Sequence, residues 1–399
     1  MFHVKPMATD PLAHLAAQLE QLDREGLRRR RPEPLPTGEL SFCSNDYLGL
    51  ASRPAPPAAC GAGASRLIAG ERDEHRRLER ALAGWLRTED ALVFTSGYAA
   101  NIGTLAALAG PGDLIVSDAL NHASIIDGAR LSRARVARVP HNDAGAVALA
   151  LAERSEARAW VAVETYYSMD ADGPDLAVLR RVCDEHGAGL VVDEAHALGV
   201  LGPSGRGRCA EAGIAPDVLI GTLGKAFGGQ GAFVAGRAVL RDWLWNRARS
   251  FVFSTGLAPV SAAAAGRALQ DVLERPELAA HVRAMADRLR SGLTRAGALP
   301  FLGGPPACSQ ADAARLLGFG HIVPLVVGTP ARAVRLSERL RSRGIAAPAI
   351  RPPTVSVGTA RIRFTVTALH EEADIDRAIE AYASAMATPL DALDDVASR

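Results

Sequence analysis

A chain of 399 residues exceeds the usual reach of one hydrophobic core, so two lobes around a shared site are expected. With 48% hydrophobic residues, 22% charged residues and a formal net charge of +1, the composition is that of an ordinary folded protein and gives no reason to expect nucleic acid or an acidic membrane as a partner. Aromatic residues at 5% argue against a base-stacking surface, and no apolar run approaches the ~18 residues that a membrane helix needs.

The stretch Met1 to Asp10 lacks the apolar core of a secretory signal, which makes the cytoplasm the expected location. Asp10-Pro11 reads as an N-cap followed by proline at the first helical position. Leu12, Leu15, Leu19 and Leu22 then share one face, predicting a helix that packs on something and ends near Gly26. The basic run Arg28 to Arg31 and a proline-rich stretch to Pro36 set this arm apart from the main body. Between Leu50 and Gly61 the chain is short and proline-rich, and a glycine-containing loop, Gly61-Ala-Gly63-Ala-Ser-Arg66, follows. Gly61-x-Gly63 lacks a preceding strand and a third glycine, so it is not read as a dinucleotide turn.

From about residue 75 to 240, helical patterns alternate with short apolar runs. Ala91–Phe94, Leu114–Val116, Ala159–Val163, Gly189–Val192 and Val218–Ile220 are the predicted buried strands. Leu78–Leu86, Tyr98–Ala109 and Leu176–Glu185 are the predicted helices between them. This alternation implies βαβ units and a mainly parallel sheet covered on both faces, which binds ligands at the carboxyl ends of its strands. Pro259 onward is rich in helix and alanine. After about residue 285 a helix leads to a strand at Ile322–Val327, another helix, and a strand at Arg361–Val366, as in a smaller α+β lobe.

The five cysteines (43, 60, 183, 209 and 308) form no CxxC pair and no cluster with zinc spacing, as suits a reducing compartment. Chemistry points instead to two strand ends. A buried strand delivers Asp193 in Asp193-Glu-Ala-His196; taken alone this reads first as a capping aspartate and a structural histidine. The same four letters serve some helicase-type ATPases, but those need a GxxxxGK[ST] loop upstream, and none is present. Lys225 lies in Gly221-Thr-Leu-Gly-Lys-Ala-Phe-Gly228, just past the next strand, among glycines that let backbone approach a ligand. A partly desolvated lysine can be neutral and attack an aldehyde. A reactive lysine together with an aspartate for a pyridine nitrogen is what pyridoxal phosphate requires.

Seven stretches then occur in order over about residues 40 to 370. They are Ser44-Asn-Asp-Tyr-Leu-Gly-Leu50, Thr95-Ser-Gly-Tyr-Ala-Ala-Asn101, Asn121-His-Ala-Ser-Ile-Ile-Asp-Gly128, Ser168-Met-Asp170, Asp193–His196, Gly221–Gly228 and Ile350-Arg-Pro-Pro-Thr354. Together they resemble the α-oxoamine synthases among the fold-type I pyridoxal-phosphate enzymes. The resemblance implies a seven-stranded, mostly parallel α/β sheet with helices on both faces. It further implies an N-terminal arm (1–45) that joins a small α+β domain (285–399) and closes a cleft over a large domain (46–284). A homodimer is expected with it.

The roles below are what the resemblance implies. Lys225 carries the cofactor, Asp193 pairs with its ring nitrogen, and His122 stacks on the ring. Ser168 and His196 hydrogen-bond the ring oxygen. Gly97, Tyr98 and Thr222 hold the phosphate, and it is left open whether Ser254 and Thr255 reach it across a dimer interface. Arg351 grips the amino-acid carboxylate, and Asn45 approaches the substrate. Thr354 and Arg28 meet the acyl substrate, although Arg29, Arg30 and Arg31 can serve as well as Arg28. The branch most resembled joins L-alanine to a pimeloyl thioester, on coenzyme A or a carrier protein, in biotin biosynthesis. Branches that use glycine or serine share the cofactor residues and stand as alternatives. The shortened 51–60 segment departs from the family, whose members carry a longer helical segment there, and it bears on acyl specificity.

Overall fold

Apolar runs too short for helices become the central sheet. The computed structural model describes residues 10, 12–25, 27–29, 31, 36, 38–300 and 314–391. Seven strands, β1 (Asp90–Phe94), β2 (Asp113–Asp118), β3 (Arg135–Val139), β4 (Arg158–Glu164), β5 (Gly189–Asp193), β6 (Val218–Thr222) and β7 (Ala232–Gly236), pair in the order β1-β7-β6-β5-β4-β2-β3. Only β7 runs antiparallel to its neighbours, so the other six end on one side of the sheet. The strands β2, β5 and β6 are almost wholly buried, as expected when helices cover both faces. All five predicted strands are present, and β3 and β7 are additional to them.

Two helices on this frame matter for the site: α3 (Gly97–Leu108) follows β1, and α4 (Ala123–Ser132) follows β2, with α1 (Ala13–Arg24) and α2 (Asp73–Leu86) ahead of them. Ser96 caps α3 by accepting from the Ala99 N–H at 3.1 Å, and His122 caps α4 by accepting from the Ser124 N–H at 3.3 Å. The two helices lie close because Gly128 has no side chain. A Cβ there would sit 3.0 Å from the Asn101 carbonyl oxygen and 3.1 Å from Leu105 Cβ. That approach brings Asn101 and Ser124 within hydrogen-bond distance.

A second core forms around the strands β8 (Leu299–Pro300), β9 (Arg315–Leu316), β10 (Ile322–Gly328), β11 (Ala349–Ile350) and β12 (Ala360–Thr365), ordered β11-β12-β10-β9-β8. Phe42 from the N-terminal part belongs to this core, and Leu40–Ser41 pairs in parallel with Ile345–Ala346. The helix Pro276–Arg295 spans both cores: Val282 packs in the large one, while Met285, Leu289 and Leu293 pack in the small one.

Two expectations need adjusting. The leucine-bearing helix α1 forms, but none of its residues is buried, and Leu12, Leu15, Leu19 and Leu22 remain 63%, 40%, 42% and 38% exposed. Its stripe therefore finds no cover among the described residues of this chain. Pro11, Gly26, Arg30 and Cys308 lie outside the described residues. The 51–60 segment contains no helix, and no strand lies between Ser41 and Asp90, in keeping with the rejection of a dinucleotide turn. Among the described residues no helix is long and apolar enough to cross a membrane.

The loop after this segment is anchored by Arg66, whose guanidinium is buried between Glu71 (2.6 Å) and Glu79 (2.6 Å). Glu79 also accepts from the Val93 N–H at 2.8 Å, which ties α2 and the loop to β1. Replacing Arg66 with methionine leaves a buried carboxylate without its cation. The expected loss is about 3–5 kcal/mol, read as a lower midpoint in urea unfolding.

Candidate active site

Five strand ends and one strand of the smaller sheet converge on a buried polar cluster. The turn after β6 presents Lys225, whose Nζ lies 2.6 Å from His196 Nε2. Gly228, at φ +59°, closes that turn against Leu50 and Ala51, where a Cβ would come within 2.5 Å of backbone. Among the described residues Lys225 forms no ion pair. Burial destabilises its ammonium and, against the pull of Asp193 and Glu164, brings its pKa down to about 8. An amine in this state is substantially neutral near physiological pH and can act as a nucleophile or a base.

Asp193 is 7% exposed at the end of β5. One carboxylate oxygen accepts from Asn101 Nδ2 at 2.7 Å, and the other from the Ala195 N–H at 2.8 Å. Asn101 Nδ2 also reaches Ser124 Oγ at 2.9 Å, and Ser124 Oγ stands 2.7 Å from His122 Nδ1. A single network thus orients both Asp193 and His122. The His122 backbone N–H donates to Glu164 Oε1 at 2.7 Å, and burial lowers the pKa of the His122 ring, with Asp193 opposing. Glu164 pairs in register with Asp193 across β4 and β5. Burial, aided by the neighbouring aspartate, pushes its pKa up to about 8.

The N-terminus of α3 meets β6. A Cβ on Gly97 would lie 3.8 Å from Thr222 Oγ1, and Thr222 Oγ1 accepts from the Gly224 N–H at 3.2 Å. Backbone donors and a hydroxyl therefore face one another where an anion can be held. Tyr98, by contrast, is 45% exposed and donates its hydroxyl to Asp127. Ser254 and Thr255 line a small cavity with Thr95 and Arg66 beside the end of β1.

Four residues of this cluster escaped the sequence reading as site residues. Arg363, on β12 and 4% exposed, donates from Nη1 and Nη2 to Asn45 Oδ1 at 3.2 Å each, and from Nε to the Ser168 carbonyl oxygen at 2.6 Å. Tyr47, Asn101 and Glu164 are the others. Ser168 thus meets Arg363 through its backbone, and Arg351 is half-buried beside the Pro352–Pro353 turn. In the arm, Arg28 pairs with Asp23, five residues back, whereas Arg29 donates to Thr354 Oγ1 at 3.2 Å. Between Arg28 and Arg29, it is Arg29 that contacts Thr354.

The residues fit pyridoxal phosphate. A half-buried amine with no ion pair among the described residues, a hydrogen-bonded carboxylate, a histidine of lowered pKa and a helix N-terminus gather at the strand ends, and each has a counterpart on the cofactor.

A family model described as aminotransferase class I and II matches residues 37–381. The chain is 43% identical over 390 residues to the 8-amino-7-oxononanoate synthase of Marinobacter nauticus, covering 92% of this chain and 95% of that protein. Among solved structures it is similar to the Sphingomonas wittichii serine palmitoyltransferase, with a TM-score of 0.83 and 28% identity over 94% of this chain and 98% of that one. It is also similar to a serine palmitoyltransferase solved with pyridoxal phosphate, at a TM-score of 0.83 and 26% identity over 94% of this chain and 98% of that one. Lysine, aspartate and histidines on one fold-type I sheet, with relatives that match nearly end to end, place the chain in the aminotransferase class I and II family, within its α-oxoamine synthase group.

Proposed function

We infer that this chain is a pyridoxal-phosphate-dependent acyltransferase that condenses L-alanine with a pimeloyl thioester, giving 8-amino-7-oxononanoate, carbon dioxide and free thiol. The observation that carries the reading is Lys225, a half-buried, desolvated amine whose pKa is brought down to about 8 beside Asp193 and His196. Relatives named for this reaction match at 43% identity, well above the 28% of the serine palmitoyltransferase, and this favours the alanine-using branch.

When bound, pyridoxal phosphate supplies an aldehyde for an amine and a ring that draws electrons from the adjoining carbon. The α3 N-terminus at Gly97 and Tyr98, with Thr222, would hold its phosphate, and Ser254 and Thr255 lie near enough to β1 to add to that end. Asp193 would keep a proton on the ring nitrogen, His122 would stack on the ring, and His196 and Ser168 would face the ring oxygen. Lys225 removes the α-proton of alanine as a general base. A bond then forms between that carbon and the acyl carbonyl carbon, the thiol leaves, the alanine carboxylate departs as carbon dioxide, and a proton returns to the carbon.

Arg363 and Asn45 are proposed to take the α-carboxylate: a buried guanidinium puts its charge in the same cluster as Lys225, and an incoming carboxylate would replace Asn45 Oδ1 as the acceptor of its Nη1 and Nη2 protons. Arg351 is the other guanidinium assigned to this role, and kinetics separates the two. Arg363→Ala is expected to raise KM for alanine by about 30-fold or more. A larger rise in Arg351→Ala would assign the carboxylate to Arg351 instead. Arg29, with Thr354, is proposed for the far carboxylate of the pimeloyl chain alongside Arg28.

The three-part organisation (1–45, 46–284 and 285–399) is proposed with the same reading, supported by Phe42 in the second core. A cytoplasmic homodimer is proposed as well, and the uncovered leucine stripe of α1 supports a partner subunit.

The test is thiol release from pimeloyl-CoA and from a pimeloyl carrier protein by cofactor-loaded protein, with L-alanine, glycine and L-serine in parallel. Rapid release with alanine alone supports the assignment. Preference for serine with a long-chain acyl thioester would move it to the sphingoid-base branch.

A further inference from the structure

Tyr47 is fully buried, and its ring packs edge-on against His321 with 4.2 Å between centroids. Its hydroxyl oxygen lies 2.6 Å from His196 Nδ1 and 3.3 Å from Asn45 Oδ1, but a phenol has one proton to give. Counting acceptors decides where it goes. Asn45 Oδ1 already accepts from both Nη1 and Nη2 of Arg363, which occupies its two lone pairs and fixes the orientation of the amide. The positive charge of the same guanidinium acts on the phenol oxygen. The proton is left for His196 Nδ1, at the shorter distance.

The charged and titratable groups facing His196 are Tyr47, Lys225, Arg363, His321 and His122. Burial and these neighbours depress the pKa of the ring far below its ordinary value, so the imidazole is neutral. A neutral imidazole that accepts at Nδ1 carries its proton on Nε2, which points at Lys225 Nζ. Only an amine with a free lone pair can accept that proton.

We propose that Tyr47 is a positioning residue: its buried hydroxyl, directed by Asn45 and Arg363, holds the proton of His196 on Nε2 and thereby presents a donor to the neutral amine of Lys225. The same donor then faces the cofactor's ring oxygen, a consequence that rests on the reading of this cluster as a pyridoxal-phosphate site. His321, whose two ring nitrogens have no hydrogen-bond partner among the described residues, backs Tyr47 by packing alone.

Two measurements test this. The first is nitrogen-15 NMR of the histidine rings in the cofactor-free full chain, which reads the tautomer directly. His196 is expected with its proton on Nε2 in the unaltered protein, redistributed between the nitrogens in Tyr47→Phe, and unchanged in His321→Phe. A proton on Nδ1 in the unaltered protein overturns the proposal even if Tyr47→Phe fails to fold, and so does a signal that Tyr47→Phe leaves unmoved. The second is a pH titration of the absorption bands of the cofactor-loaded protein. Its midpoint is expected to move by about one unit or more in Tyr47→Phe, a roughly tenfold change in the proton equilibrium, while His321→Phe holds the original midpoint. An unmoved midpoint in Tyr47→Phe overturns the link to the cofactor. Absence of any cofactor band in the unaltered protein would instead overturn the functional reading, and the NMR result would stand apart from it.

Discussion

Lys225→Ala is expected to lower turnover by about a thousandfold or more and to abolish covalent retention of the cofactor. The side chain has two tasks, and the geometry bears on both. Its half-buried amine is desolvated and has no carboxylate partner among the described residues, so the ammonium is disfavoured and the neutral form is available for attack on an aldehyde. It also has no competing proton acceptor of comparable strength beside it, because the only group within hydrogen-bond distance among the described residues, His196, is held far below its usual basicity. Removal of the α-proton therefore falls to Lys225, and losing a positioned base costs roughly 10²–10⁴ in rate. The covalent half is read by mass spectrometry after borohydride reduction: the unaltered protein gains the mass of the reduced cofactor, and the variant does not. An undiminished rate in the variant would remove Lys225 from the mechanism.

The lowered pKa adds a pH signature. The neutral fraction grows as pH rises through about 8, so cofactor loading onto cofactor-free protein should accelerate across that range and level off above it. A profile that keeps climbing to the ordinary lysine range would mean that the site does not desolvate the amine.

How much of this was legible in the sequence depends on how local the signal was. β6 and β5 are apolar runs that end at or just before reactive residues, and their burial matches the reading from residue pattern alone. β3 was missed because Arg135–Val139 alternates arginine with valine and alanine on an exposed sheet edge, leaving no apolar run to detect. β7 was missed because its five residues lie among glycines that read as loop, and its antiparallel course breaks the βαβ rhythm. In the site, Lys225, Asp193, His122 and His196 stood in recognisable stretches. Arg363 did not, because Ala-Arg-Ile-Arg-Phe-Thr has the alternation of any half-exposed strand, yet the structure buries this arginine almost completely. Tyr47 stood in the Ser44–Leu50 stretch with no role of its own, and the structure makes it a core aromatic. Only the position of its hydroxyl beside His196 gives it a second role. Contacts between residues 45, 196 and 363 are set by packing of the two cores on each other, which no local pattern encodes.

Asp193→Asn should leave the fold intact and cost about 10²–10⁴ in turnover. The size is nearly unchanged, so the question is whether the hydrogen bonds tolerate an amide. Asp193 accepts from two donors, Asn101 Nδ2 and the Ala195 N–H, and an amide can accept at only one oxygen. Asn101 can adjust, because its own Oδ1 is buried without a partner among the described residues and can turn to meet the new N–H₂ group. The fold should therefore lose little, and the thermal midpoint should fall by no more than about 2–4 °C. The chemistry has no such compensation. A neutral amide does not hold a proton on a pyridine nitrogen, so the carbanion at the alanine α-carbon loses its electron sink. Exchange of the alanine α-proton in deuterated water, without any acyl thioester, isolates this step from acyl binding. It should slow by the same factor as turnover. Exchange at the unaltered rate, alongside impaired turnover, would show that Asp193 acts after the α-proton has left, and its assignment to the ring nitrogen would fall.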